Sequence, residues 1–111
     1  MKVGELYIAD CEFRNRPGSK QRPVVILREL EDGVMVIESR SKSTPNLELV
    51  LTVDFETNPN YSNVKLSGVS HFYAENFVVI PRESIQPRRL GALREADLRT
   101  LGKRLGVPLL D

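Results

Sequence analysis

The chain has 111 residues, 41% of them hydrophobic, which suffices for one core and reads as a single compact domain over residues 1–111. Sixteen basic residues against 15 acidic ones leave a formal net charge of only +1, so composition implies no general affinity for polyanions, and an anion site has to arise by local clustering. One cysteine, Cys11, and one histidine, His71, exclude an intramolecular disulfide and are too few for a structural zinc set, and with a charged N-terminus and no apolar run near the roughly 20 residues of a membrane helix they point to a soluble cytoplasmic protein.

Leu6–Ala9 predicts a short apolar strand. A loop from Phe13 to Gln21 follows, carrying Arg14, Arg16 and Lys20; with Arg22 and Arg28 it makes five cations without an acid between Phe13 and Arg28. Pro23–Leu27 is too β-branched and too short to favour a helix and predicts a second strand. Glu31-Asp32-Gly33 is a tight-turn signal, because glycine accepts positive φ, and returns the chain into a third strand, Val34–Ile37, with Ile26 and Val36 as neighbours.

Ser39 to Asn46 is a polar connection, after which Leu47, Leu49, Leu51 and Val53 alternate with Glu48, Val50 and Thr52 at the period of a half-buried strand. Asn58-Pro59-Asn60 reads as a turn, Val64–Leu66 as a fifth strand, and Phe77–Ile80 as a sixth, closed by Pro81. Six short strands with polar turns suggest a small barrel or rolled sheet. The period then changes: Leu98, Leu101 and Leu105 predict a helix from about Arg94 to Leu105, with Glu95 and Asp97 at its positive end and Lys103 and Arg104 at its negative end. Gly106 and Pro108 supply the stop, whereas Arg94 stands where a serine or aspartate cap is expected.

The first functional candidate is Arg22, at the mouth of the basic loop and held against an apolar strand, an arrangement suited to a phosphate-bearing ligand. Phe77 is expected in the core, Tyr73 is left open, and Cys11 reads as a small buried residue rather than a nucleophile. Arg82, Arg88 and Arg89 read as a solvated edge, and Lys42 and Lys65 as surface cations.

Gly4–Asp10, the basic loop and Ser19–Leu27 together resemble the opening of the PemK/MazF toxins of bacterial type II toxin–antitoxin systems. Val64–Leu66 followed by Val69 is similar to that family's late strand, and Arg89-Leu90-Gly91-Ala92-Leu93 to its tail. The resemblance implies a mainly β fold with a C-terminal helix, the small SH3-like barrel of the CcdB/PemK plasmid toxins. It further implies a homodimer held by a cognate antitoxin, and a metal-independent, cofactor-free endoribonuclease, an mRNA interferase. In that chemistry the ribose 2′-hydroxyl attacks the adjacent phosphorus of single-stranded RNA.

Arg22 matches the family's catalytic arginine and would stabilise the charge on the phosphorane. Two departures stand out: the family's threonine position falls on Arg40, and the glutamate that some members carry in the basic loop is absent. Ser39 or Ser41 is then the available hydroxyl, and Glu12 and His71 the available proton carriers, His71 because imidazole titrates near neutrality. Arg14, Arg16, Lys20, Arg40 and Lys65 are the RNA-binding candidates under the same resemblance. A barrel that has lost catalysis and binds a protein, as CcdB toxins act on gyrase, and a plain nucleic-acid-binding barrel are the alternatives.

Overall fold

The computed structural model describes residues 1–13, 15–40 and 50–109. Among these, six strands are present: β1 (Glu5–Glu12), β2 (Ser19–Leu30), β3 (Gly33–Arg40), β4 (Val50–Asp54), β5 (Val69–Ile80) and β6 (Gly91–Ala92). They form one curled antiparallel sheet in the order β4-β5-β3-β2-β1-β6, followed by the helix α1 (Glu95–Leu105). Among the described residues no helix is long and apolar enough to cross a membrane.

The continuous apolar run Val24–Leu27 is explained by burial on both faces of the sheet. Val25 and Leu27 join Leu6, Ile37 and Phe72 in a core closed by Leu98 and Leu101 of α1. Val24 and Ile26 point the other way, onto Tyr7, Ala9, Val36 and Ile85. The predicted neighbours Ile26 and Val36 are paired, and Leu51 and Val53 of β4 are buried while Thr52 is exposed, as the alternation requires. Leu47 and Leu49 lie outside the described residues.

The β2–β3 hairpin is as expected, but Gly33 serves it for another reason than positive φ. Leu30 pairs with Gly33 across a two-residue loop, and a Cβ on Gly33 would stand 2.9 Å from the Ile80 carbonyl oxygen of β5. Space against a neighbouring strand sets the glycine there.

Three further expectations are corrected. Val64–Leu66 is no strand: it follows a one-turn 3-10 helix, Pro59–Tyr61, and is tied to the sheet's far edge by the Lys65 N–H donating to the Leu90 carbonyl at 2.9 Å. Three residues of alternation seat Val64 and Leu66 on the core from a turn as well as from a ladder. Phe77 is 51% exposed, whereas Tyr73 is buried: Phe77 stands opposite Ile37 on the face that α1 covers, but at its rim, where it borders a hollow with Leu27, Met35 and Leu105. Lys20 and Gln21 belong to β2, opposite Cys11 and Asp10, so the loop between β1 and β2 is only residues 13–18.

Helix α1 starts one residue after Arg94, which contributes no side-chain cap. Its N-terminus is held instead by Tyr61, whose hydroxyl accepts from the Arg94 N–H at 3.0 Å and donates to the Asp97 carboxylate. At the other end Gly106 adopts the left-handed conformation (φ 78°), and the N–H of Val107 reaches back to the Gly102 carbonyl.

Arg82 and Arg89, expected as a solvated edge, act as clamps. Arg82 donates to the Leu30 and Glu31 carbonyls beside the β2–β3 turn, and Arg89 pairs with Glu5 at 2.6 Å.

Candidate active site

The end of β1, the 13–18 loop, the start of β2 and the end of β3 enclose a cleft of about 210 Å³ lined by Glu12, Phe13, Asn15, Arg16, Arg22, Glu38 and Arg40. Strand pairing brings these groups together. Arg22 pairs with Ala9 on β1, and two residues further along β2 Val24 pairs with Glu38 on β3. Side chains two apart on a strand share a face, so Arg22, Glu38 and Arg40 emerge on one side of the sheet.

Three guanidinium groups and two carboxylates thus meet in one small space. Among the described residues no ion pair joins any of them to another. Arg22 makes one long hydrogen bond, from Nη1 to the Ser39 carbonyl at 3.5 Å. The Nε of Arg40 is buried and has no hydrogen-bond partner among the described residues. Arg16 lies over the Phe13 ring, its guanidinium carbon 4.2 Å from the centroid, and the Phe13 N–H donates to Gly18, closing the loop. A buried donor without a partner costs on the order of 1–3 kcal/mol, more when charged, so Arg40 is held in a state that an incoming acceptor would relieve.

Cys11 lies beneath this cluster, 1% exposed, its Sγ directed at the Ala9 carbonyl. Burial, reinforced by the Glu38 carboxylate and only partly opposed by Arg22, pushes its thiol up to about 12, so it is not a nucleophile at neutral pH.

A second hollow, of about 480 Å³, adjoins the cleft and shares Glu12, Phe13 and Glu38 with it; Asp10, Val78, Val79, Pro81 and Ser84 form its other wall. The combined trough is cationic at the Arg22 end, acidic in the middle and apolar along β5.

The residues expected at a site are therefore only partly gathered. Arg22, Arg40, Arg16 and Glu12 line the cleft. Lys20 is exposed two residues from Arg22 and stands just outside it. His71 pairs with Arg40 across β3–β5 but does not line the cleft; its Nδ1 shares a 2.8 Å hydrogen bond with Thr52 Oγ1, and its ring leans on Tyr73. Ser39 is buried and turns its carbonyl to Arg22, so it is not a hydroxyl facing the cleft. Lys65 is at the Leu6 end of β1, six residues and about 20 Å of strand from the Glu12 end, and is not part of this site. Arg14 and Ser41 lie outside the described residues.

Glu38 was missed in the sequence. The signal was the hairpin register: the Ile26–Val36 pairing, continued along both strands, puts Glu38 against Val24 and brings Arg40 level with Arg22.

No protein-family model matches the chain, and no curated protein sequence matches it. Solved structures match its fold. The Mycobacterium tuberculosis toxin MazF-mt6 aligns over 90% of this chain and 92% of its own with a TM-score of 0.65 and 21% identity. The MazE–MazF complex from Deinococcus radiodurans aligns over 96% and 92% with a TM-score of 0.69 and 15% identity. An endoribonuclease in complex with its cognate antitoxin from a mycobacterial species aligns over 96% and 91%, with a TM-score of 0.67 and 13% identity. At these identities the likeness is one of fold, and the small barrel-like toxin fold expected from the sequence is the one observed.

Proposed function

We propose that this chain is a toxin of the PemK/MazF type: a metal-independent endoribonuclease that cuts single-stranded RNA by attack of a ribose 2′-hydroxyl on the adjacent phosphorus. The observation that carries the reading is the convergence of Arg22 with Arg16 and Arg40 in one cleft of a MazF-like fold, with no ion pair among the described residues holding any of the three.

The step forms the O2′–P bond and breaks the P–O5′ bond, leaving a 2′,3′-cyclic phosphate and a 5′-hydroxyl. Negative charge builds on the non-bridging oxygens as phosphorus becomes five-coordinate. A guanidinium is always charged and donates to two oxygens at once, so Arg22 serves as the stabiliser of that charge and Arg40 as a second donor in place of the family's threonine. Arg16, with Lys20 at the rim, steers the backbone of the RNA. His71 enters as the cross-strand neighbour of Arg40, held by Thr52, and not as a group facing the phosphate. No cofactor enters the scheme.

The same reading makes the protein cytoplasmic, a homodimer, and the partner of a cognate antitoxin that silences it. Apolar side chains at the surface support protein contacts: Phe77, Val79 and Val107 are each about half exposed.

The test is incubation with mixed-sequence single-stranded RNA in excess chelator beside Arg22→Ala. The wild type is expected to give breaks with 2′,3′-cyclic or 3′-phosphate ends and 5′-hydroxyls. Arg22→Ala should cut at least about 100-fold more slowly, the usual cost of losing one charge-stabilising donor, and keep its melting temperature, since among the described residues it loses one long hydrogen bond. RNA left intact by the wild type refutes the ribonuclease reading and favours the protein-binding one, to which the replaced threonine and absent loop glutamate belong. Unchanged cutting by Arg22→Ala refutes the assignment of the arginine.

A further inference from the structure

We infer that Glu38 is the general base of this site, the group that takes the proton from the attacking 2′-hydroxyl; the inference rests on the ribonuclease reading above. A 2′-hydroxyl is a weak nucleophile at neutral pH, and a positioned base that removes its proton contributes typically about 10²–10⁴-fold to such a step. With no glutamate in the 13–18 loop, the base has to come from elsewhere in the cleft.

Two carboxylates line the cleft, and their settings differ. Glu12 is exposed, at the last residue of β1. Glu38 is half-buried on β3, which is paired on both sides, so its backbone is fixed more firmly than any loop residue. The β3–β5 ladder is interrupted beside it: Ile37 pairs with Phe77 and Ser39 with Phe72, leaving residues 73–76 of β5 without a β3 partner opposite the single residue Glu38, while Tyr73 keeps its pairing with Val50 of β4. Such interruptions recur beside active sites, where they re-aim a side chain. Glu38, beside this interruption, lines both the arginine cleft and the adjoining hollow.

Charge balance supports the same residue. Asp10, Cys11 and Glu12 of β1, Arg16 of the loop, Arg22 of β2 and Arg40 of β3 surround it, and the stretch of β5 opposite it adds Tyr73 and Glu75. The carboxylate shares the cleft with Arg16, Arg22 and Arg40, yet no ion pair within the described residues ties it to a guanidinium. It stands within the group of cations that would bind the phosphate, and among the described residues no hydrogen bond or ion pair occupies its carboxylate.

In the reaction the O2′–P bond forms as the 2′ proton passes to the Glu38 carboxylate. The P–O5′ bond breaks, its electron pair stays on O5′, and O5′ takes a proton from solvent water. The Glu38 carboxylic acid then gives its proton to the hydroxide left behind, which restores the starting state.

The experiment compares wild type, Glu38→Gln, Glu38→Asp and Glu12→Gln in single-turnover cleavage of single-stranded RNA across about pH 6–8 in chelator. Alongside, binding of the same RNA carrying 2′-O-methyl groups throughout, which cannot react, and the melting temperature are measured. Glu38→Gln should cut about 10²–10⁴-fold more slowly at neutral pH, melt like the wild type, and bind the unreactive RNA at least as tightly, since one negative charge fewer faces the phosphates. Its residual rate should rise more steeply with pH than the wild-type rate, as hydroxide replaces the missing base, and Glu38→Asp should recover part of the loss. Wild-type cutting by Glu38→Gln, a pH profile of unchanged shape, a parallel loss of binding, or the same signature in Glu12→Gln instead would each overturn the assignment. A wild type that leaves all RNA intact overturns the ribonuclease reading and this inference with it; an active wild type matched by Glu38→Gln overturns this inference alone.

Discussion

Replacing Tyr61 with phenylalanine isolates the contact that starts α1 and with it the lid of one core. The ring is 1% exposed and meets Phe55 edge-on at 5.3 Å, contacts that phenylalanine keeps. What is lost is the hydroxyl, which accepts from the Arg94 N–H and donates to the Asp97 carboxylate. A neutral hydrogen bond nets about 1 kcal/mol and one to a charged group about 1.5–3 kcal/mol. Asp97 is only half-buried and recovers part of its loss from water. The expected cost is about 2–3 kcal/mol, which in a domain of this size lowers the melting temperature by about 10 °C.

The alkaline side supplies an independent check. Burial, reinforced by the hydrogen bond to Asp97, raises the Tyr61 phenol well above its ordinary value. The folded state therefore holds this proton more tightly than the unfolded chain does. The stability that results is complete below about pH 10 and drains away as pH climbs from there toward the folded value. Urea unfolding of wild type and Tyr61→Phe at neutral pH and above pH ~10 measures both effects. The difference between the two proteins should shrink as pH rises, while Tyr7, also raised by burial and by Glu5, leaves some alkaline loss in both. A neutral-pH difference below about 0.5 kcal/mol, or a difference constant with pH, refutes the bridge as the helix anchor.

Two more outcomes are expected. At Gly91 φ is 154°, and a Cβ would lie 2.7 Å from Val64 Cγ2 and 3.2 Å from its Cα, so Gly91→Ala should cost about 3 kcal/mol in urea unfolding; a neutral result would show that β6 does not hold the 62–66 turn as described. Cys11, buried and with its thiol raised to about 12, should resist a disulfide-exchange reagent in the folded protein and react at once in denaturant, and labelling at equal rates in both would contradict its placement beneath the cleft.

Local pattern in the sequence was enough for the β2–β3 hairpin, the buried Val24–Leu27 strand, the Leu98–Leu101 stripe of α1 and its Gly106 stop. Each depends on residues within a few positions of one another, and a period of 2 or 3.6 together with a turn residue specifies it. Arg22 was expected at the mouth of a loop and lies inside β2, three residues after its start and paired with Ala9; the resemblance alone attached a role to it. Tertiary structure decided what local pattern underdetermines. Three alternating residues at Val64 do not say whether a ladder partner exists, and Phe77 is half exposed because it stands at the rim of the face that α1 covers, while Tyr73 is buried. Arg82 and Arg89 became clamps because carbonyls and a carboxylate 51 to 84 positions away in the chain came within reach. The cleft is of the same kind: Glu38 and Arg40 meet Arg22 only when two strands pair in one register. Periodicity along a chain sets which side of an element a residue takes, whereas the charges that share a cleft are set by pairing between elements, where a one-residue slip exchanges the faces.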